Sequence, residues 1–594
     1  MPAPHDFACI GAASAPAFSR DGGRLFHLRD NGLPQLWVMD ISTGAARQLT
    51  FADEKIAFLR RSPTDDRLVY GFDRGGDERQ QLMLIDPEPD QPAATTLTDA
   101  PSVIHDFGAW SPDGARIAFA ANSRDEADFD IFVQDIGSGE RRCVHQGRHI
   151  VTVAGWRADG TRLAALADRG YADMSLFIID PETRQAQTLQ VPPCNWQMVR
   201  WSGDGRTLLA LTDQGNDHLR LCRIDPDSGT VSVVYAAAGR DVEGWAISPD
   251  MALLATVEND RGWSVLRVGP ANGERTALDL PRGVVADPSF SPDGSRLAFT
   301  LSAPDRPSGI WLWEGGKAAR PLFCPDPAEA GIPTDSLAAF ELVGWDSFDR
   351  KHIPGWLALP RGLAPAGGFP AVIWVHGGPV GQARPNFRPD MQMLLAQGFA
   401  VLMPNVRGSS GYGRAWCESD DRGKRLDSVA DLAAGARWLR AHPAIDPARI
   451  GVMGQSYGGF MVLSAITENP ELWKAAVDYY GIADFNTLLA GTGPWRRSHR
   501  AAEYGDPERD SALFDRISPI HRIDRVAAPL LVLHGTRDPR VPIGESEQFV
   551  TALRERQKPA EYLVFDYAGH GFVRRSDRQR AYAAVAAFFD RHLK

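Results

Sequence analysis

The chain has 594 residues and a net charge of −11, with 23% charged and 43% hydrophobic residues. This composition is that of an ordinary globular protein, and the length predicts two or more domains. The sequence carries no basic stripe for nucleic acid and no apolar run long enough to span a bilayer, so neither kind of partner is expected.

The first residues and the cysteines bear on location. Residues 1–18 lack the basic and apolar regions of a secretory signal. The six cysteines lie far apart without a Cys-x-x-Cys pair, which favours free thiols over zinc or redox use. A cytoplasmic protein without a metal or nucleotide cofactor is therefore expected, and homo-oligomerisation is left open.

The first half of the chain contains a repeat: an aromatic or apolar residue, a small residue, an Asp-Gly pair or its remnant, and an apolar strand. The repeated aspartates are Asp21, Asp65, Asp113, Asp159, Asp204, Asp250 and Asp293. Their spacing of 43 to 48 residues predicts seven propeller blades of about four short strands each. Because Asp-Gly pairs suit hairpin turns, these aspartates are interpreted as structural rather than catalytic.

The repeat stops in a Pro- and Gly-rich stretch at 325–333, where the domain boundary is predicted. Beyond it, apolar strands such as 371–375 and 400–404 alternate with helical segments such as 426–441 and 545–557. This alternation predicts a mostly parallel sheet covered by helices on both faces. The expected domains are a propeller over 1–325, whose first residues could pack on the second domain, and an α/β-hydrolase domain over 326–594.

The motif GQSYGG at 454–459 lies between a short apolar run and a helical segment. Strand, glycine-flanked serine and helix together are typical of a nucleophile elbow, in which a sharp turn exposes the serine hydroxyl at the top of a sheet. Ser456 is therefore the candidate nucleophile, with a structural serine in a tight turn as the alternative.

Two later strands end in loops that carry Asp538 and His570. The order Ser456, Asp538, His570 is the order of an α/β-hydrolase triad. Neutral imidazole can remove the serine proton near pH 7, and a carboxylate fixes the imidazole tautomer. Asp566 is closer in sequence to His570 but lies at the end of its own strand, so Asp538 is preferred.

An oxyanion needs preorganised N–H donors. One is expected from Tyr457, the residue after the nucleophile, and the other from the loop HGGP at 376–379. Gly378 is the preferred donor of that loop, with Gly377 as the alternative.

The aromatic residues after the next strand could line a hydrophobic S1 pocket, although a buried core is the default interpretation. They are Tyr479, Tyr480, Phe485 and Trp495. Arg407 is a further candidate beside the site, where it would orient a loop or form a structural salt bridge.

With these residues assembled, the chain resembles the prolyl oligopeptidase family of serine peptidases, nearest its acylaminoacyl-peptidase branch. The resemblance is carried by HGGP at 376–379, NVRGSSGYG at 405–413, GQSYGG at 454–459, HGTRD at 534–538 and GHG at 569–571. It implies Ser456, Asp538 and His570 as the triad, peptide bonds as substrates, and a propeller that caps the site and excludes large folded proteins.

Two departures from the family pattern matter. Some branches place a tyrosine where this chain has His376, so two backbone donors are expected for the oxyanion. Dipeptidyl peptidases of the family hold the substrate amine with adjacent glutamates, and this chain has no Glu-Glu pair. Other acids in blade loops could take that role, namely Asp73, Asp77, Glu78 or Asp125.

The predicted function is a serine oligopeptidase of short peptides, resembling an acylaminoacyl-peptidase or an aminopeptidase, that forms an acyl-enzyme on Ser456. One alternative is an esterase or amidase of small acyl substrates, because the oxyanion chemistry is shared. Another is a propeller scaffold for protein partners with a relict hydrolase domain, against which the complete triad argues.

Overall fold

The computed structural model of the chain describes residues 2–89 and 92–594. Its first part consists of seven four-stranded antiparallel sheets, and each sheet is built from four strands that are consecutive in the chain. The first strands of neighbouring sheets contact each other, so they line the centre of a ring. The predicted seven-bladed β-propeller is confirmed.

The strands of the blades are Ala12–Phe18, Arg24–Asp30, Pro34–Asp40 and Ala46–Gln48 (β1–β4); Ile56–Arg61, Leu68–Phe72, Gln81–Ile85 and Ala94–Thr96 (β5–β8); His105–Trp110, Arg116–Ala121, Asp130–Asp135 and Arg141–Gln146 (β9–β12); Ile150–Trp156, Leu163–Asp168, Met174–Ile179 and Ala186–Thr188 (β13–β16); Trp196–Trp201, Leu208–Thr212, Arg220–Ile224 and Val231–Tyr235 (β17–β20); Val242–Ile247, Leu253–Asp260, Trp263–Pro270 and Thr276–Ala277 (β21–β24); and Val284–Phe290, Arg296–Ala303, Arg306–Glu314 and Arg320–Phe323 (β25–β28).

The repeated aspartates close the turn between the first and second strands of a blade. In the last blade, Ser291 Oγ donates to Asp293 Oδ1 at 2.5 Å and accepts the N–H of Arg296 at 3.0 Å. Ser19, Ser111, Ser202 and Ser248 form the same pair of hydrogen bonds in their own blades. In these five blades the interpretation of the aspartate as structural is confirmed.

The ring closes by side-chain packing between the first and last blades. In residues 2–89 and 92–594, each blade is built from four consecutive strands, and no strand from one end of the propeller completes the sheet at the other. Instead, Ala13 and Phe18 of β1 share an apolar cluster with Ile310 of β27. Ser308 Oγ adds a hydrogen bond to the carbonyl of Ala13 at 2.8 Å.

The second part is one eight-stranded sheet in the order β29-β30-β32-β31-β33-β34-β35-β36. The pairs β29–β30 and β30–β32 are antiparallel, and all others are parallel. Its strands are Glu341–Asp346, His352–Ala358, Phe369–Val375, Ala400–Pro404, Ile445–Gln455, Ala475–Tyr479, Leu530–Gly535 and Ala560–Phe565 (β29–β36). The helices are Pro389–Ala396, Arg414–Cys417, Arg425–Arg440, Tyr457–Glu468, Phe485–Gly491, Pro494–Tyr504, Ser511–Ile517, Gly544–Glu555 and Arg575–Leu593 (α1–α9).

Helices cover both faces of this sheet. Successive residues of a strand point to opposite faces; Ile373 packs with Phe460 of α4, whereas Val372 packs with Phe589 of α9. Phe7 and Ile10, near the start of the chain, lie in the same cluster as α9. The predicted α/β-hydrolase domain is confirmed. In the described residues, no helix combines the length and apolar character needed to cross a membrane.

Candidate active site

Ser456 lies in a strained turn between β33 and α4. Its backbone angles are φ 60° and ψ −120°, a conformation that non-glycine residues rarely adopt. Glycines make the turn possible: a Cβ on Gly454 would lie 2.3 Å from the carbonyl oxygen of Gly458, and a Cβ on Gly458 would lie 2.2 Å from that of Val375. The strand-turn-helix geometry expected of a nucleophile elbow is therefore present at Ser456.

Asp538 and His570 form a direct pair at the ends of β35 and β36. His570 Nδ1 lies 2.6 Å from Asp538 Oδ2. The other carboxylate oxygen accepts the N–H groups of Arg540 and Val541 at 2.8 and 3.0 Å. The structure thus pairs His570 with Asp538, whereas Asp566 is exposed at the end of its strand.

The electrostatics suit a base near neutral pH. Burial would raise the pKa of Asp538, but the charge of His570 and hydrogen bonds from His534 and His570 outweigh it and hold this pKa below its usual range. Burial lowers the pKa of His570, and the attraction of Asp538 only partly opposes this effect. The imidazole is therefore neutral at pH 7, as proton abstraction requires.

The turn after β34 connects the serine to the imidazole. The N–H of Ser456 donates to the carbonyl of Tyr479 at 2.9 Å, and the N–H of Tyr480 donates to Leu533 at 2.9 Å. The Tyr480 ring packs on the His570 ring with centroids 4.7 Å apart. Between these described residues no hydrogen bond joins Ser456 Oγ to His570, a contact that in many enzymes tightens only when substrate binds.

Two backbone N–H groups are suitably placed for an oxyanion. The N–H of Tyr457, at the first position of α4, has no intrahelical acceptor. The HGGP loop lies against the elbow, since a Cβ on Gly377 would be 3.4 Å from Ser456 Cβ. Gly378 has φ 142°, and no hydrogen bond ties its N–H to another residue of the described ranges.

Both ring nitrogens of His376 lie within hydrogen-bonding distance of groups of the protein. The side chain is buried, with Nε2 2.9 Å from Ser409 Oγ and Nδ1 2.9 Å from the carbonyl of Gly377. Both ring nitrogens therefore shape the loop, in line with the expected reliance on backbone donors.

Arg407 lies in a buried ion network and not beside the reacting atoms. Its guanidinium donates to Asp431 Oδ2 at 2.8 Å and Oδ1 at 2.7 Å, and it also pairs with Asp349. Because its charge is already compensated, Arg407 supports the loop before Ser409 and is not a substrate contact.

The aromatic candidates fall into two groups. Tyr479 and Tyr480 adjoin the triad, as described above. Phe485 is fully buried against Phe460 and Tyr504, so it belongs to the core. Trp495 packs into a propeller cluster with residues of blades three and four, so it joins the domains.

A propeller loop over 73–79 reaches His570, a contact that the sequence did not reveal. A Cβ on Gly569 would lie 2.0 Å from the carbonyl oxygen of Gly76, so two backbones from different domains touch beside His570. The only sequence signal is the pair Gly75-Gly76, whose positive φ values of 65° and 78° allow this approach.

Glu78 on this loop is held by two arginines of the hydrolase domain, Arg496 and Arg540. Its charge is therefore compensated by hydrolase-domain cations, and a role for Glu78 toward a substrate amine stays a prediction. Of the other three candidates, Asp73 pairs with Lys55 at 3.5 Å, Asp77 accepts the N–H of Arg79, and Asp125 caps Ala127 in an exposed loop.

A cavity of about 460 Å³ lies between the domains and borders the HGGP loop at Gly378 and Val380. This volume is within the range of small-molecule pockets, roughly 300–1,000 Å³. Its propeller wall includes Tyr171 and Asn195, and its hydrolase wall includes Arg500. Arg500 also donates to the carbonyl of Gly378 at 3.4 Å, which ties the pocket wall to the oxyanion loop.

Comparisons with known proteins agree with this geometry. A model of the prolyl oligopeptidase family matches residues 385–594. Dipeptidyl aminopeptidase BIII of Pseudoxanthomonas mexicana is 29% identical over 88% of this chain and 78% of its own length. Residues 385–594, most of the hydrolase domain, are therefore similar to the prolyl oligopeptidase family. The chain is a serine peptidase, as predicted from the sequence.

Two further proteins are similar to the chain. An acylamino-acid-releasing enzyme of Arabidopsis thaliana is 30% identical over 38% of this chain and 30% of its own length. The solved structure of a puromycin-hydrolyzing peptidase of Mycobacterium tuberculosis superposes with a TM-score of 0.86 at 21% identity, covering 100% of this chain and 96% of that one. At that identity the superposition supports the fold alone.

Proposed function

We propose that this chain is a member of the prolyl oligopeptidase family and hydrolyses short peptides through an acyl-enzyme on Ser456. The observation that carries the proposal is the 2.6 Å contact between His570 and Asp538, at the sheet edge where the elbow presents Ser456. A neutral imidazole held by a buried carboxylate is the base that a serine nucleophile needs.

The roles follow from the positions. Ser456 Oγ attacks the scissile carbonyl while His570 accepts its proton, and the N–H groups of Tyr457 and Gly378 receive the developing oxyanion. His570 then protonates the leaving amine, which departs as the C–N bond breaks. Water then gives a proton to His570 and attacks the acyl carbon. The ester bond to Ser456 Oγ breaks, His570 returns the proton to Ser456 Oγ, and the new carboxylic acid leaves as its carboxylate. Asp538 keeps its charge throughout and holds the imidazole.

We further propose that cleavage takes place close to a free amino end of the peptide. The cavity beside Gly378 has an acidic lining, with four carboxylates, from Asp173, Glu418, Asp421 and Glu503, against the two guanidinium groups of Arg500 and Arg540. Each of these carboxylates also lies within ion-pair distance of an arginine. Such a lining favours an ammonium group over an acyl cap, because an opposite charge stabilises the charged amine. The name of the dipeptidyl aminopeptidase that matches most of the chain is consistent with this preference.

The test compares two chromogenic dipeptide anilides that differ only in N-terminal acetylation. The free amine is expected to be turned over with the higher kcat/KM, by at least tenfold if one charge-assisted contact holds it. A preference for the acetylated substrate would instead indicate an acylaminoacyl-peptidase. Turnover of simple aryl esters alone, with neither anilide cleaved, would indicate the esterase.

A cytoplasmic location is also proposed. All six cysteines are free thiols, and Cys194, Cys222 and Cys417 are buried in the fold without a partner thiol. Proteins of oxidising compartments more often pair their cysteines. Cell fractionation with an antibody to the chain tests this, and recovery outside the cytoplasm would contradict it.

A further inference from the structure

The centre of the propeller holds a second, larger cavity of about 660 Å³. It is lined by the first strands of several blades, including Leu59–Arg61 of β5 and Val284–Phe290 of β25. Because these strands surround the ring axis, the cavity is the central channel. Four arginines reach it, Arg60, Arg61, Arg200 and Arg384, against two acids, Glu243 and Asp287.

Two of these arginines form hydrogen bonds to the channel wall or to its loops. Arg384 pairs with Glu243 at 2.6 Å and donates to the carbonyl of Gly262 at 2.9 Å. Arg61 Nη1 donates to the carbonyl oxygens of Ser62 and Asp65. The donors of Arg384 and Arg61 that form these bonds are not available to a ligand in the channel.

Arg60 and Arg200 differ from them. Among the described residues, neither has a carboxylate within the 4.0 Å of an ion pair, and both remain exposed to the space of the channel. Arg60 makes one hydrogen bond, to the carbonyl of Leu59, and Arg200 lies over the Trp245 ring at 5.4 Å. Burial lowers the pKa of both guanidinium groups, and the charge of Arg60 adds to the effect on Arg200.

The acids around this pair do not neutralise it. Asp287 and Asp106 attract Arg60 from beyond ion-pair distance, and Asp287 accepts the N–H of Ala15 at 3.2 Å. In a chain with a net charge of −11, two uncompensated cations therefore face each other inside the channel. Guanidinium groups in this situation suit a carboxylate, which each can bind through two parallel N–H donors.

The channel wall and the oxyanion loop share one segment of the chain. Arg384, on the channel wall, follows Gly378 by six residues of the same loop. Six residues span at most about 22 Å, at roughly 3.6 Å each. An extended peptide advances about 3.3 Å per residue, so six or seven residues beyond the scissile bond cover that distance.

We propose that Arg60 and Arg200 bind the C-terminal carboxylate of an oligopeptide substrate whose amino end lies at Ser456. The proposal rests on the proposed function, since it extends that peptide from the cleavage site into the channel. It predicts selectivity for peptides of about eight or more residues with a free C-terminus, and none for substrates too short to reach the channel.

The experiment compares a ten-residue peptide as free acid and as C-terminal amide, with a chromogenic dipeptide anilide as a short substrate. The enzymes are the wild type, the double variant R60Q/R200Q and the control R320Q, which removes an exposed propeller charge outside the channel. In the wild type and in R320Q, the KM of the acid is expected to be about tenfold below that of the amide. In R60Q/R200Q this ratio is expected to approach one, with turnover of the dipeptide anilide unchanged.

Equal KM values for acid and amide in the wild type, or an undiminished ratio in R60Q/R200Q, would overturn the proposal. Loss of all dipeptide turnover in the wild type would instead overturn the proposed function. If the double variant does not fold, as judged by circular dichroism, R200Q alone is compared, with half or more of the effect expected. Inorganic sulfate at constant ionic strength should raise the KM of the acid and leave the KM of the amide unchanged. Equal inhibition of both substrates by sulfate would mean that the arginines bind a free anion and not the peptide carboxylate, which would overturn the proposal.

Discussion

The propeller and the hydrolase domain use serine and aspartate for different purposes. In the propeller, Ser291 and Asp293 close a turn, and equivalent pairs recur in other blades. In the hydrolase domain, Ser456 and Asp538 are far apart in sequence and belong to no repeat. There the carboxylate of Asp538 contacts the imidazole of His570. Residue type alone therefore does not determine function here. The repeated serine-aspartate pairs of the blades are structural, whereas Ser456 and the Asp538–His570 pair form the candidate site.

The first prediction compares the same substitution, serine to alanine, in the hydrolase domain and in the propeller. Ser456→Ala should lower kcat about 10⁶-fold if the triad acts as a unit, because no other group supplies the nucleophile. The matched change Ser291→Ala should leave kcat unchanged and lower stability by about 1 kcal/mol through lost turn hydrogen bonds. Steady-state kinetics and thermal unfolding of both variants check this. A Ser456→Ala enzyme with near wild-type turnover would refute the assigned nucleophile.

A second prediction concerns the contact between the domains. Gly76→Ala should lower kcat about 10- to 100-fold, because a Cβ there would lie 3.0 Å from Gly569 Cα and displace the loop that carries His570. The control is Gly139→Ala, which shares a positive φ, 73° against 78°, but would meet nothing within 4 Å. The backbone strain is thus matched, and only the contact differs. Equal kcat values in the two variants would contradict a role for the propeller in placing His570.

The third prediction is a pH shift. Glu78 raises the pKa of His570, whereas Arg540 lowers it. Glu78→Gln leaves the arginines unopposed, so the pKa of His570 should fall further. Because activity needs the neutral imidazole, the acidic limb of the kcat/KM profile should move to lower pH. Glu182→Gln, which removes a surface acid that also pairs with two arginines, should leave the profile in place. A shift to higher pH would give the wrong sign for this electrostatic account.

Much of this arrangement could be predicted from local sequence. The segment 400–404 was predicted as a strand with the bounds that the structure shows, and 426–441 is helical from Arg425 to Arg440. Periodicity and turn residues determine such elements locally. The choice of Asp538 over Asp566 rested on position relative to a strand end, and the structure places Asp538 against His570.

What the sequence missed depends on contacts between distant segments. Glu78 meets Arg540 across 462 positions, and no local pattern marks that pairing. Phe485 could have lined a pocket or filled a core, since hydrophobicity favours both; only the packing of α5 on α4 and α6 decided for the core. Trp495 follows the same strand in sequence, whereas its side chain packs in a cluster of propeller residues, a contact that no local pattern marks.

The smallest expected effect returns to the propeller turn. Hydrogen bonds from Ser291 and Ser295 lower the pKa of Asp293 from 3.8 to about 2. A carboxyl whose pKa is depressed by folding stabilises the native state above the unfolded pKa, and this contribution is lost as the pH falls through the folded pKa. Asp293→Asn should therefore lower the free energy of unfolding at pH 7 by less than about 1 kcal/mol, because the side chain is exposed to solvent. The unfolding temperature should fall slightly as a result.

That difference between Asp293→Asn and the wild type should shrink as the pH falls from about 4 to about 2. Activity toward a dipeptide anilide at pH 7 should not change, since the turn lies outside the catalytic site. Thermal unfolding at several pH values measures the first outcome and steady-state kinetics the second. A constant difference at all pH values would show that Asp293 acts through shape and not through charge, and a loss of activity would show that the propeller turns are not mere scaffold.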